Sequence, residues 1–223
     1  MKKLSLLVFC LLLGLGSAWA SVGSTNPNNF IDSVNWCQFG CNGGAYMTPQ
    51  AWVSVGLNTG LVGNTNAQNW QNLQQGNGWA GDFPAGMGLV YNGVQTIFTA
   101  PTTIGIYLDQ PVNGIGAWIQ PDYYGQFTAS ITLLDSNLLP LFTYSAAGNS
   151  TAVPGTGLFI GALDSSYDIW GAIFNATGSD LAIGTAKLNP VPEPSTLLLL
   201  GPSLIGLAGV LRRRMARKSQ EVL

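Results

Sequence analysis

The chain has 223 residues, with no histidine, eight Lys and Arg against ten Asp and Glu, and only 8% charged side chains. Without histidine, Ser-His-Asp and Cys-His catalysis and most zinc sites are excluded. From residue 21 to residue 194 nine acids face the single Lys187, a net charge of about −8 with no arginine, so phosphates cannot be neutralised and nucleic acid is excluded as a partner.

Lys2 and Lys3 precede an apolar core from Leu4 to Gly16, and Ser17-Ala18-Trp19-Ala20 puts small residues at the minus-three and minus-one positions. This predicts a secretory signal peptide over residues 1–20, with Ala18 and Ala20 setting cleavage before Ser21 and export through the Sec pathway. Position 21 is Ser rather than Cys, which argues against a lipoprotein anchor.

Cys10 leaves with that segment, so Cys37 and Cys41 are the two cysteines of the mature chain. An even pair in an exported protein predicts a disulfide, and a bridge this close demands a tight turn, for which Gly40, Gly43 and Gly44 are suited. The loop is short, so the chain-entropy gain is only about 2 kcal/mol. From Ser21 to Gly88 short strands and loops are expected. Ala51 to Leu57 is a candidate strand, and the polar passage from Asn64 to Asn77 reads as an exposed loop.

After Gly88 the period-two pattern sharpens. Leu89-Val90-Tyr91 runs through the turn Asn92-Gly93 into Val94 to Thr99, which predicts a hairpin. Alternation continues over Ile104 to Asp109, Ile115 to Gln120 and Phe127 to Leu133, where Asp135-Ser136-Asn137 predicts a turn. Leu139 to Tyr144, Leu158 to Ala162, Ile169 to Phe174 and Leu181 to Ala186 follow, with a polar loop expected over Gly148-Asn149-Ser150-Thr151. No sustained 3.6-residue period appears, and turn signals recur about every ten residues. The predicted class is all-β, an antiparallel β-sandwich of jelly-roll-like form over residues 21–190.

Beyond the predicted domain, Val191-Pro192-Glu193-Pro194 stays extended because each proline disfavours helix in the residue before it. Ser195 to Leu211 then holds 17 positions without a charge, and as a helix would reach ~25 Å, the low end for a bilayer core. Arg212, Arg213 and Arg214, with Arg217 and Lys218, supply a stop-transfer cluster. The expectation is a C-terminal transmembrane helix.

The order of Pro192, Glu193 and Pro194, a short apolar run and an Arg cluster resembles the PEP-CTERM sorting signal of Gram-negative surface proteins, over residues 191–217. The resemblance implies an exosortase-type membrane peptidase that recognises Pro192, Glu193 and Pro194 and cuts nearby. It also implies an inner-membrane intermediate and delivery to the cell envelope or an extracellular polysaccharide matrix. Gly116 to Ala129, Leu158-Phe159-Ile160-Gly161, Tyr167-Asp168-Ile169 and Trp79 to Gly86 resemble the β-sandwich ectodomain common among such proteins. In this sequence Ala182-Ile183 is followed by Gly184, so no role attached to an Asp at that place is carried over.

Chemistry within the domain is sparsely signalled. Catalytic residues are expected to be none, and the aspartates read as structural, with Asp164-Ser165-Ser166 a turn capped by its own side chain. An aspartate-dependent glycosidase would draw on Asp164 and Asp168 as the nearest pair. Calcium held by aspartate and backbone oxygens is compatible with an extracellular sandwich, with Asp109, Asp122, Asp164 and Asp168 available, but no Asp-x-Asp-x-Asp-Gly loop places a site and no other cofactor is expected. The tryptophans admit two readings: Trp70 and Trp79, inside the polar passage, as an exposed pair on a sugar-binding face, or, as the preferred reading, Trp118 and Trp170 filling the core with the other tryptophans packed under loops.

Overall fold

The computed structural model describes residues 21–41, 45–47, 49–63, 70–93, 103–166, 168–178 and 180–190. The predicted signal peptide with Ala18 and Ala20, the strand Val94 to Thr99, the loop from Asn64 to Asn69, and the tail with Pro192, Glu193, Pro194, Arg212, Arg213 and Arg214 lie outside them.

Fourteen strands run in chain order among the described residues. They are β1 (Val22–Ser24), β2 (Asp32–Val34), β3 (Ala45–Met47), β4 (Gln50–Val53), β5 (Thr59–Gly63), β6 (Trp70–Gln75) and β7 (Gly78–Trp79). Then come β8 (Gly88–Asn92), β9 (Thr103–Pro121), β10 (Gly125–Leu134), β11 (Pro140–Ser150), β12 (Leu158–Leu163), β13 (Ile169–Ala176) and β14 (Leu181–Pro190). Two 3-10 turns, Pro27–Asn29 and Trp36–Phe39, are capped by the side chains of Asn26 and Asn35. No described helix is long and apolar enough to cross a membrane.

The pairings divide into two sets that meet in β9. Its first half pairs with β13 and β5, and β13 continues through β10 to β11 while β5 continues to β4. Its second half pairs with β12 and β14, which lead to β1 on one side and to β2, β8, β6 and β3 on the other. Almost all pairs are antiparallel, the short β6–β7 contact being parallel. The register slips between Tyr107 and Val112, where Pro111 removes a ladder donor, and there β9 passes from one set to the other. The sequence pattern suggested two strands here, and the structure joins them into one of 19 residues.

One core lies between the two sets. Ile104, Ile106, Ile131, Leu133 and Phe174 from the first interdigitate with Ile115, Ile119, Ile160, Ile183 and Leu188 from the second. This is the sandwich that the alternation predicted. A second cluster, formed by Leu73, Trp79, Phe83, Leu89 and Ala182, covers the outer face of the β14 set under the segment Gly76 to Met87.

Two expectations for the loops are corrected. The polar passage contains β6, in which Trp70, Asn72 and Gln75 are buried, because the strand alternates against two apolar clusters, one on each face. The loop expected at Gly148 to Thr151 is strand as far as Ser150, since β11 stays in register with β10 out to Gly125.

Asp32 is the most heavily used buried acid. Its carboxylate accepts from Ser54 Oγ, from Gly56 N at 2.6 Å, from Asn58 Nδ2 at 2.7 Å and from Ser33 N at 2.7 Å. Burial alone would push the carboxyl up, but these hydrogen bonds outweigh it and hold the pKa below its ordinary 3.8. A lowered value stabilises the fold above the unfolded pKa, and the contribution fades as pH falls through the folded one. We expect Asp32→Ala to cost roughly 3 kcal/mol in urea unfolding at pH 7, since the 54–58 turn loses its acceptor. Between pH 5 and pH 2.5 the wild type should lose more stability than Asp32→Ala, and parallel losses would refute the assignment.

Candidate functional site

A cleft of about 550 Å³ opens on the outer face of the β14 set, lined by Gln71 and Leu73 of β6, Gly78 to Gly81, Tyr91 of β8, and Gln120 to Tyr124 at the end of β9. Gln120 fastens the covering segment to the sheet. Its Oε1 accepts from Trp79 Nε1 at 3.0 Å and from Asp82 N at 3.1 Å, and its Nε2 donates to Ser150 Oγ. A Cβ on Gly81 would stand 2.0 Å from Gln120 Oε1 and 2.3 Å from Trp79 Nε1, so only glycine lets the segment lie this close.

Tyr91 forms the wall. Its hydroxyl lies 3.1 Å from Asp122 Oδ2 and 3.2 Å from Asp180 Oδ2. Burial, and then the negative charge of both carboxylates, pushes the phenol far above its ordinary range and holds it as a neutral donor. Trp79 packs on it with ring centroids 5.3 Å apart and planes tilted by 54°. At the rim Tyr124 is 60% exposed and Tyr123 40%, each held by its hydroxyl, Tyr124 to Ala80 O at 2.6 Å and Tyr123 to Thr177 O at 2.8 Å. The cleft therefore offers half-exposed flat rings beside an amide and a carboxylate.

Asp82 sits behind this wall. Burial pushes its carboxyl up, against a counteracting hydrogen bond from Thr151 N, while its backbone carbonyl receives Gly155 N and Gly157 N. It orders the 151–157 loop.

The sequence-predicted positions fare unequally. Cys37 and Cys41 are bridged, with Cα atoms 4.8 Å apart across the 3-10 turn, and Gly40 supplies the left-handed backbone at φ 94°. Trp70 and Trp79 are not an exposed pair. Trp70 is 1% exposed within the inner core, and Trp79 is 8% exposed and lies beneath the cleft, because β6 and the segment after it fold onto apolar faces. Asp164 caps its own turn, accepting from Ser166 N, Ser166 Oγ and Ser21 Oγ. Its pKa is lowered despite the opposing effect of burial. Asp109 accepts from Thr59 Oγ1 at 2.7 Å. Among the described residues no three acids or cysteines converge as a metal site. The sequence reading missed the grouping of Tyr91, Asp122 and Asp180, whose members are up to 89 residues apart in the chain.

Residues 190–214 match the family model of the PEP-CTERM protein-sorting motif. The chain carries a PEP-CTERM sorting motif. This motif marks a secreted chain that passes a membrane in an envelope of the Gram-negative type. No curated protein matches the chain.

Among solved structures, a fucose-binding module of Streptococcus pneumoniae is similar at 14% identity, covering 47% of this chain and 73% of that one, with a TM-score of 0.31. A DUF4465 family protein of Bacteroides caccae is similar at 10% identity, covering 76% and 100%, with a TM-score of 0.34. A Clostridium stercorarium module in complex with cellobiose is similar at 11% identity, covering 54% and 93%, with a TM-score of 0.30. The functional reading of the chain rests on its own residues and on this motif.

Gly81→Ala should displace Gln120 or Trp79 and destabilise the domain by roughly 1–3 kcal/mol. The check is thermal unfolding together with tryptophan emission, which should shift to the red as Trp79 gains water. An unchanged spectrum and midpoint would show that the segment does not depend on this close approach.

Proposed function

We propose that the protein is an exported, non-enzymatic surface domain. In this reading the Sec pathway translocates it, a C-terminal transmembrane helix tethers it in the inner membrane, and an exosortase-type peptidase cuts it at Pro192, Glu193 and Pro194. It is then delivered to the cell envelope or an extracellular polysaccharide matrix. The observation that carries the reading is the sorting motif at residues 190–214, which begins at the last residue of β14. The match thus begins where the last strand ends.

The test is intact mass of protein recovered from the native host. Wild type should begin at Ser21 and end near Pro194, and Glu193→Ala should keep its tail. Retention of residues 195–223 by both would reduce the tail to an anchor.

A second reading gives the cleft a ligand. Tyr123 and Tyr124 present exposed rings, Gln71 an amide and Asp122 a carboxylate, a combination suited to the apolar faces and hydroxyls of a pyranose. The domain would then be a carbohydrate-binding module of the matrix, and calcium is not needed for the contacts named. Titration with a panel of polysaccharides should quench tryptophan emission, and Tyr124→Ala should weaken the response about tenfold, or about 1.4 kcal/mol. Equal affinities for wild type and variant would remove the cleft from the reading.

A further inference from the structure

The three most exposed large apolar side chains among the described residues are Leu57 at 81%, and Val55 and Ile31 at 79% each. Leu138 and Leu139 are also exposed. The pairing registers place all five at one end of the sandwich. Gly60 stands opposite Leu108, so the 54–58 turn lies where β9 crosses between the sets. Leu134 pairs with Gly171, which pairs with Tyr107, so the 135–139 turn lies there too. Leu188 pairs with Asp32, and Ile31 N donates to Leu188 O at 3.1 Å. Pro190, opposite Val112, leaves the domain at this same end. The cleft and its tyrosines are at the other end, where β9 finishes and β14 begins.

Leu57 and Leu138 share a second property. They are the non-glycine residues with a left-handed backbone among those described, at φ 66° and 60°. Leucine is poorly suited to that conformation, which asparagine or glycine adopts more readily. Each is fixed by a carboxylate. Asp32 takes Ser54, Gly56 and Asn58 around Leu57, and Asp135 takes the backbone N–H groups of Asn137 and Leu139 around Leu138, both at 2.8 Å. Two turns therefore hold apolar tips outward against local preference, at a cost that the fold bears elsewhere.

We propose that this end of the domain rests on the lipid surface, with Ile31, Val55, Leu57, Leu138 and Leu139 entering the interfacial layer. The proposal rests on the reading of residues 195–211 as a membrane span. Only Val191, Pro192, Glu193 and Pro194 separate Pro190 from that run, and four extended residues reach at most about 14 Å. The bilayer is thus the surface that the tether brings to this end. The tips stand on separate turns, a distribution suited to shallow insertion. The acids of this end, Asp32, Asp109, Asp135 and Asp164, accept hydrogen bonds from neutral hydroxyl, amide and backbone N–H donors that leave their negative charge in place, so zwitterionic head groups suit it better than anionic ones.

The experiment places a benzophenone amino acid at position 57 or 138 of the full chain bearing Glu193→Ala, expressed in host membranes, with position 153 at the cleft end as the comparison. Ultraviolet light should yield adducts heavier by one phospholipid at 57 and 138 and none at 153. Protein adducts at 57 and 138 would overturn the proposal in favour of a protein partner such as the peptidase. Absence of adducts in a chain that survives carbonate washing would overturn it while leaving the tail reading intact. Loss of the chain to the wash would sink the tail reading and the proposal with it. A Leu57→Asn, Leu138→Asn double variant with the probe at position 55 should keep or raise the thermal midpoint while lipid adducts fall at least threefold. An unchanged yield would overturn the proposal.

Discussion

A strand that belongs to two sheets constrains everything built around it. β9 contributes Ile104, Ile106 and Leu108 to one wall of the core, and Ile115, Ala117 and Ile119 to the other. The slip at Pro111 lets one chain segment serve both, because a proline cannot complete a central ladder but fits a bulge. With β9 fixed, the registers of β12, β13 and β14 follow, and those strands in turn settle where each loop emerges. The end of the molecule where β9 crosses collects the apolar turns and the chain's exit. The end where it stops collects Gln120, Asp122, Tyr123 and Tyr124.

Buried polar groups set the detail that the apolar core leaves open. A sandwich of this kind would tolerate several loop conformations from packing alone, yet Gln120, Asp32 and Asp82 each tie a particular loop to a particular strand. The bonds are made by neutral donors throughout, in keeping with a domain that has one lysine and no arginine. Carboxylates that accept from hydroxyl, amide and backbone N–H groups do not depend on screened ion pairs, so the loops they hold should be insensitive to salt.

Much of the sandwich was legible in the sequence. The strands from β8 onward coincide with apolar runs marked in the sequence, alternating most clearly in β9 and β10, although the sequence pattern divides β9 into two strands and makes the end of β11 a loop. The disulfide was readable from two cysteines and a glycine. What failed was exposure. β6 carries Asn72 and Gln75 into the interior, and Trp70 and Trp79 with them, since polar surroundings in sequence say nothing of what packs above. Nor could the chain announce that Tyr91, Asp122 and Asp180 would share one hydroxyl, a grouping made by three strand ends meeting. The apolar turns were hidden for the converse reason: Val55 and Leu57 extend the candidate strand from Ala51 to Leu57, but β4 ends at Val53 and the turn beyond it holds them outward.

The position of β14 has a mechanical consequence. It is paired on both sides, to β9 along one edge and to β2 and β8 along the other, and it ends at Pro190. A pull on Pro190 along the strand would load these ladders in shear, with many hydrogen bonds bearing at once, whereas a peripheral strand peeled sideways yields one bond at a time. A load applied at the cleft and resisted at Pro190 would run the length of the β9–β14 seam, so that traction between the two ends is borne by a strand paired along both edges rather than by loops.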